Sequence, residues 1–106
     1  MNKIKVCDLV DNGLSEKNGI ILRNKILEYL EKDDKVTLDF SNITLFATPF
    51  FNSFIGYFVL KINPEKTKEK IIITNISELG KDTYNHSYEN AVYIYNKKLI
   101  LIKLEK

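Results

Sequence analysis

One cysteine and one histidine are all this chain offers to redox or transition-metal chemistry. Cys7 cannot form a disulfide within the chain, and His86 cannot complete a Cys/His zinc cluster, so both are read as structural or incidental. An excess of one charge sign is also missing. Sixteen basic against fourteen acidic residues leave a net charge of +2, far short of what a protein that binds by neutralising phosphates carries, so nucleic acid is not an expected partner. No apolar run is long enough for a membrane span. The longest, within residues 43–60, is interrupted by Thr44, Thr48, Pro49, Asn52 and Ser53, and the first residues lack a signal-peptide pattern, so a cytoplasmic protein without membrane association is expected. A glycine-rich phosphate loop, carboxylates at metal-ligand spacing and a nucleophile paired with a base are likewise not seen. No catalytic residue, cofactor or metal is expected, and the chain is not read as an enzyme.

What is present suits one folded domain spanning residues 1–106, with 44% hydrophobic and 28% charged residues. Its organising stretch is Val36 to Leu60. Val36, Leu38 and Phe40 alternate with Thr37 and Asp39 as a buried strand does, and Ser41, Asn42 and Thr44 then favour a turn. Asp39, at the strand's end, is read as bonding that turn. Thr48 reads as a helix N-cap, with Pro49 as the first helical residue. In the helix that follows, Phe51, Phe54, Ile55, Phe58 and Ile62 share one face, yet Phe50, Tyr57 and Leu60 make the remaining surface apolar too. Such a helix is either covered by its own protein or presents a patch to a partner.

Around this stretch, Lys3 to Val6 reads as an edge strand, and residues 17–31 as an amphipathic helix on Leu22, Ile26, Tyr29 and Leu30. Gly19 near its start allows another backbone to come close. Asp33, Asp34 and Lys35 form a turn, Glu65 to Lys70 a charged connection, and Ile71 to Thr74 an interior strand parallel to the central one. A third helix spans Ser77 to Tyr95, and Leu99 to Leu104 reads as a last strand. The tyrosines at 84, 88, 93 and 95 have no basic groove beside them and are assigned to packing. Arg23 is the only arginine; a guanidinium can clamp a carboxylate or phosphate with two hydrogen bonds, but surface or intramolecular salt-bridge duty is the expected role.

Asp39-Phe40-Ser41-Asn42-Ile43 and Ala47-Thr48-Pro49-Phe50-Phe51-Asn52, with Gly19-Ile20-Ile21-Leu22-Arg23 followed by Ile26, resemble the STAS domains, the sulfate transporter and anti-sigma-factor antagonist modules. The nearer resemblance is to small stand-alone bacterial STAS-like domains of unassigned function. It implies an α/β fold, a mixed four-stranded sheet with about three helices packed on it, and a non-catalytic, regulatory, protein-binding role. Antagonists of this type carry Asp-Ser-Ser-Gly at the corresponding helix start, where a histidine-kinase-like ATPase phosphorylates the second serine. Here Ala47-Thr48-Pro49-Phe50 stands there and Pro49 occupies the phosphoacceptor position, which puts the phosphorylation switch in doubt. A partner site at Phe46, Thr48, Phe50, Ser53, Tyr57 and Leu60 is expected on this basis, with the ATPase type as a candidate partner. The alternatives are a self-associating subunit, such as a homodimer, and a small-anion or nucleotide site using Thr48 and Arg23.

Overall fold

The computed structural model describes residues 2–32 and 34–105, so of the expected turn at Asp33, Asp34 and Lys35 the first residue lies outside the described residues. Three strands, β1 (Lys3–Lys5), β2 (Val36–Asp39) and β3 (Ile71–Thr74), form one sheet in the order β1-β2-β3, both pairs parallel. Ile4 lies opposite Leu38, which in turn lies opposite Ile73. β2 is central because its Val36 and Leu38 are fully buried and Phe40 just beyond it nearly so. β3 is an edge strand and not an interior one. Ile72 is 41% exposed, so four apolar or β-branched residues in a row record strand propensity here and not burial on both faces.

Among the described residues, four longer helices and a short 3-10 turn (Val6–Asp8) accompany the sheet. α1 (Glu16–Leu30) is capped by Ser15, whose Oγ accepts from the Asn18 amide at 3.0 Å, and it buries Gly19, Leu22 and Ile26. α2 covers residues 48–61 as one continuous rod: an α-helical turn (Thr48–Phe51), a π-helical stretch (Asn52–Gly56) and a final α-helical turn (Tyr57–Lys61). α3 (Pro64–Lys70) replaces the expected connection, with Asn63 capping it through a 2.8 Å bond from the Lys66 amide. α4 (Glu78–Glu105) is the long last helix.

The expected strand at Leu99 to Leu104 is therefore helix, and the sheet has three parallel strands in place of four mixed ones. No glycine or proline follows Tyr95, and extending a formed helix is far easier than starting a new element. The cap of α2 also differs from expectation. Ala47 is the N-cap residue with extended backbone, and Thr48 is already helical and makes no capping bond. Neighbouring chain sets this start: the Ala47 amide donates to the Gly13 carbonyl at 2.8 Å, and Gly13 pairs with Phe46 as an isolated parallel bridge.

The core lies around α2. Phe50, Phe51, Phe54, Ile55, Phe58 and Val59 are fully buried, so the helix that is apolar all round is for the most part covered by its own protein. α1 and α4 pack on it, and Tyr84 of α4 meets Phe51 edge-on at 5.9 Å between ring centres. Burial, with Tyr88 beside it, pushes the Tyr84 phenol up to about 12.

Asp39 ties the strand ends together. Its Oδ1 accepts from the Ser41 amide at 2.9 Å, the Ser41 hydroxyl at 2.6 Å and the Asn75 side chain at 3.0 Å, while Lys3 Nζ lies 3.6 Å from Oδ2. The Ser41 hydroxyl, then its amide, then Asn75 hold this carboxyl well below the usual carboxylate range. Asn42 and Asn75 carry the positive φ angles that reverse the chain after β2 and β3. Among the described residues no helix is long and apolar enough to cross a membrane.

Candidate functional site

The two flanks of α2 are packed differently, and the site follows from that difference. On the α1 side, Gly19 lets the helices touch: a Cβ there would overlap Ser53 Oγ and the Phe50 carbonyl oxygen. The Ser53 hydroxyl shares its proton between the Phe50 carbonyl at 2.9 Å and the Glu16 carbonyl of α1 at 3.2 Å. On the α4 side, Gly56 meets Ala91, and a Cβ on Gly56 would still stand 4.0 Å from the Ala91 Cβ. Two small residues thus set the crossing, and beside it a cleft of about 340 Å³ opens between α1, α2 and α4.

Its walls follow from helical spacing. Asn52, Gly56 and Leu60 come from one stripe of α2, and Ser87, Asn90, Ala91 and Ile94 from one stripe of α4. Arg23 of α1 and Tyr57 of α2 complete it. The guanidinium lies over the Tyr57 ring, 4.4 Å from its centre, and its Nη1 donates to the Ser53 carbonyl at 3.4 Å. In an α-helix that carbonyl would face the Tyr57 amide, but within the π-helical stretch that amide donates to Phe54. Lys61 Nζ donates to the Tyr57 hydroxyl at 3.0 Å, so the ring is clamped by two cations.

Two buried polar atoms on the cleft residues have no hydrogen-bond partner among the described residues: Arg23 Nε and Ser87 Oγ. Ser87 is only 1% exposed. A buried donor left unpaired costs about 1–3 kcal/mol, more where it is charged, so two such atoms on one cleft mark the place where this fold has left polar capacity unused. A second cleft of about 320 Å³, between the end of β3 and α4, is lined by Ile73, Asn75, Glu78, Lys81, Tyr84 and Asn85, and neither of the unpaired atoms belongs to it.

The structure gathers Arg23, Ser53, Tyr57 and Leu60 of the expected site residues at the first cleft or its rim. It does not bring Phe46, Thr48 or Phe50 there. Phe50 is fully buried and cannot reach a partner in this fold, and Phe46 stacks on Phe51 at 5.7 Å. Thr48 is not among the residues that line the cleft with Arg23, and it precedes Ser53, whose carbonyl Arg23 bonds, by about 7 Å along α2. Asn52, Gly56, Ser87, Asn90, Ala91 and Ile94 were not singled out from sequence. The available signals were small and polar residues at helical spacing, Gly56 in a phenylalanine-rich helix and Ser87 four residues before Ala91.

No curated protein and no solved structure matches the chain. The model of one family does, the STAS-like domain of unknown function (DUF4325), over residues 18–81, from α1 to the first turn of α4 and well over half of the chain. With the α/β order of elements and the motif residues around β2 and α2 in place, the chain belongs to this STAS-like family.

Proposed function

We propose that this protein is a non-catalytic regulatory module, similar in role to anti-sigma-factor antagonists, that docks a protein partner over the cleft rim formed by Tyr57 and Leu60 of α2. The observation that supports this reading is the open flank of α2. Its Tyr57 and Leu60 remain partly exposed while the phenylalanines beside them are buried. A histidine-kinase-like ATPase is the candidate partner class. Pro49 at the phosphoacceptor position means that docking here is not switched by phosphate in the usual way. Affinity capture with wild-type and Tyr57→Asp baits tests the reading. A partner held by the wild type and lost by a Tyr57→Asp bait that melts at the same temperature supports docking at this rim, and a partner held equally by both removes the rim from the interface.

A second reading, self-association, is favoured by the far end of α4. Leu99, Ile100, Leu101, Ile102 and Leu104 are all exposed there, Leu104 by 76%. A helix apolar on every side is normally covered. Sedimentation velocity distinguishes the readings: self-association gives a wild-type dimer that Leu101→Glu converts to monomer and Tyr57→Asp does not.

A further inference from the structure

We propose that the cleft between α1, α2 and α4 is a carboxylate-binding site, with Arg23 as the residue that recognises the ligand. The inference deepens the docking reading, since it names the chemistry that the same cleft accepts, and its test is independent of any partner protein. Arg23 is held for this task on two sides. The Tyr57 ring covers one side of the guanidinium, and the Ser53 carbonyl takes Nη1. That leaves Nε and Nη2, whose N–H bonds point the same way along one edge of the group, as a two-pronged donor matched to the two oxygens of a carboxylate. Nε is buried and unpaired, and so is the Ser87 hydroxyl on the facing helix. Asn52 and Asn90 add amide groups to the same walls.

The charge in the cleft selects among anions. Among the described residues Arg23 is the only formally charged one lining it, with Lys61 at the rim on the Tyr57 hydroxyl, and the other polar linings, Asn52, Tyr57, Ser87 and Asn90, are neutral. Its helical walls run side-on, so backbone amides are engaged within α2 and α4 and form no phosphate-cradling nest. One fixed cation with neutral donors fits a monoanion better than a phosphate bearing nearly two charges. The rest of the wall is apolar, Leu60, Ala91 and Ile94, and a volume of about 340 Å³ is at the small end of ligand sites. The ligand is therefore a carboxylate carrying a short apolar chain, either a free acid or the acidic side chain of a bound peptide.

The lone arginine makes the test direct, because its Nε–H gives a single resonance in a proton–nitrogen NMR spectrum of the whole chain. Three probes are titrated in parallel: hexanoate as a free acid, N-acetyl-glutamate N-methylamide as a peptide side chain, and hexanamide as the neutral counterpart of the first, with inorganic phosphate as the competing anion. Expected is a saturable shift of the Arg23 Nε–H and of the Ser87 and Asn90 amides with at least one of the two carboxylates, and none with hexanamide or phosphate. Whichever carboxylate binds identifies the source. Arg23→Lys, which keeps the charge but not the fork, weakens binding tenfold or more, and Ser87→Ala weakens it by a smaller factor without unfolding the helix. No saturable shift with either carboxylate, equal binding of hexanamide, binding of phosphate alone, or undiminished affinity in Arg23→Lys overturns the proposal. If Tyr57→Asp releases no partner yet hexanoate still titrates Arg23, the docking reading fails and the carboxylate site stands.

Discussion

The two flanks of α2 show how one helix can be locked on one side and left open on the other. Toward α1 the contact is closed to the limit: Gly19 has no room for a methyl group, Ser53 bonds back to Glu16, and the helix backbone widens to a π-helical stretch opposite. Toward α4 the pair Gly56 and Ala91 would accept a methyl group, and polar atoms beside it go without partners. Tight packing gains dispersion contacts on one side, and the other side retains a cleft where a ligand can supply the missing hydrogen bonds.

The sharpest way to break this contrast is Gly19→Ala. The new Cβ meets the Phe50 backbone as well as the Ser53 side chain, so the helices must part, and about 3 kcal/mol of stability is expected to go, read by urea denaturation. Removing the Ser53 hydroxyl in that background recovers little, because the backbone clash remains. Alkali probes the other flank. An unfolded tyrosine ionises near 10, whereas Tyr84 in the fold resists ionisation until about 12, so stability is fully present below pH 10 and declines as pH rises through that interval. The expected loss from Tyr84 is at most about 3 kcal/mol, and Tyr84→Phe removes that share while leaving the one from Tyr88, whose phenol is also pushed up by burial. Hydrogen exchange in this range should show α4 amides losing protection before those of α1.

Gly56→Ala sharpens the contrast from the stable side. Its Cβ makes an ordinary contact with Ala91, and alanine favours helix over glycine, so the melting temperature should rise, by the equivalent of no more than about 1 kcal/mol. The same substitution narrows the cleft. The smallest effect on stability belongs to Leu101→Glu, since that side chain is 59% exposed and lies beyond the packed part of α4; the melting temperature should stay within a degree or two of wild type in dilute solution.

Much of the fold could be read from the residues alone. Alternation in β2, helical spacing in α1, the proline start of α2 and the crossover to β3 all appear where their patterns lie, and Asp39 bonds its turn as its position suggests. The misreadings have separate causes. Thr48-Pro49 and Asn63-Pro64 carry the same local signature, yet only Asn63 caps its helix, because the bridge at Gly13 fixes Ala47 as the residue before the first turn of α2. The charged run after Pro64 hid α3, whose inward contact is carried by Thr67, bonded to the Asn63 carbonyl at 2.7 Å. Leu99 to Leu104 has strand composition, but with no glycine or proline after Tyr95 to stop it the helix runs on through these residues. The site was legible only as single residues. Arg23, Tyr57 and Leu60 stood out, whereas Ser87 and Asn90 gain meaning only when α4 crosses α2.

The length of α4 has a mechanical side. From its contact at Ala91 to Leu104 the helix runs on for about 20 Å as a stiff rod, with the crossing as its fulcrum. Ser87 and Asn90 stand near that fulcrum, on the wall facing Arg23. A load on the distal arm is thereby geared down to a small displacement of that wall.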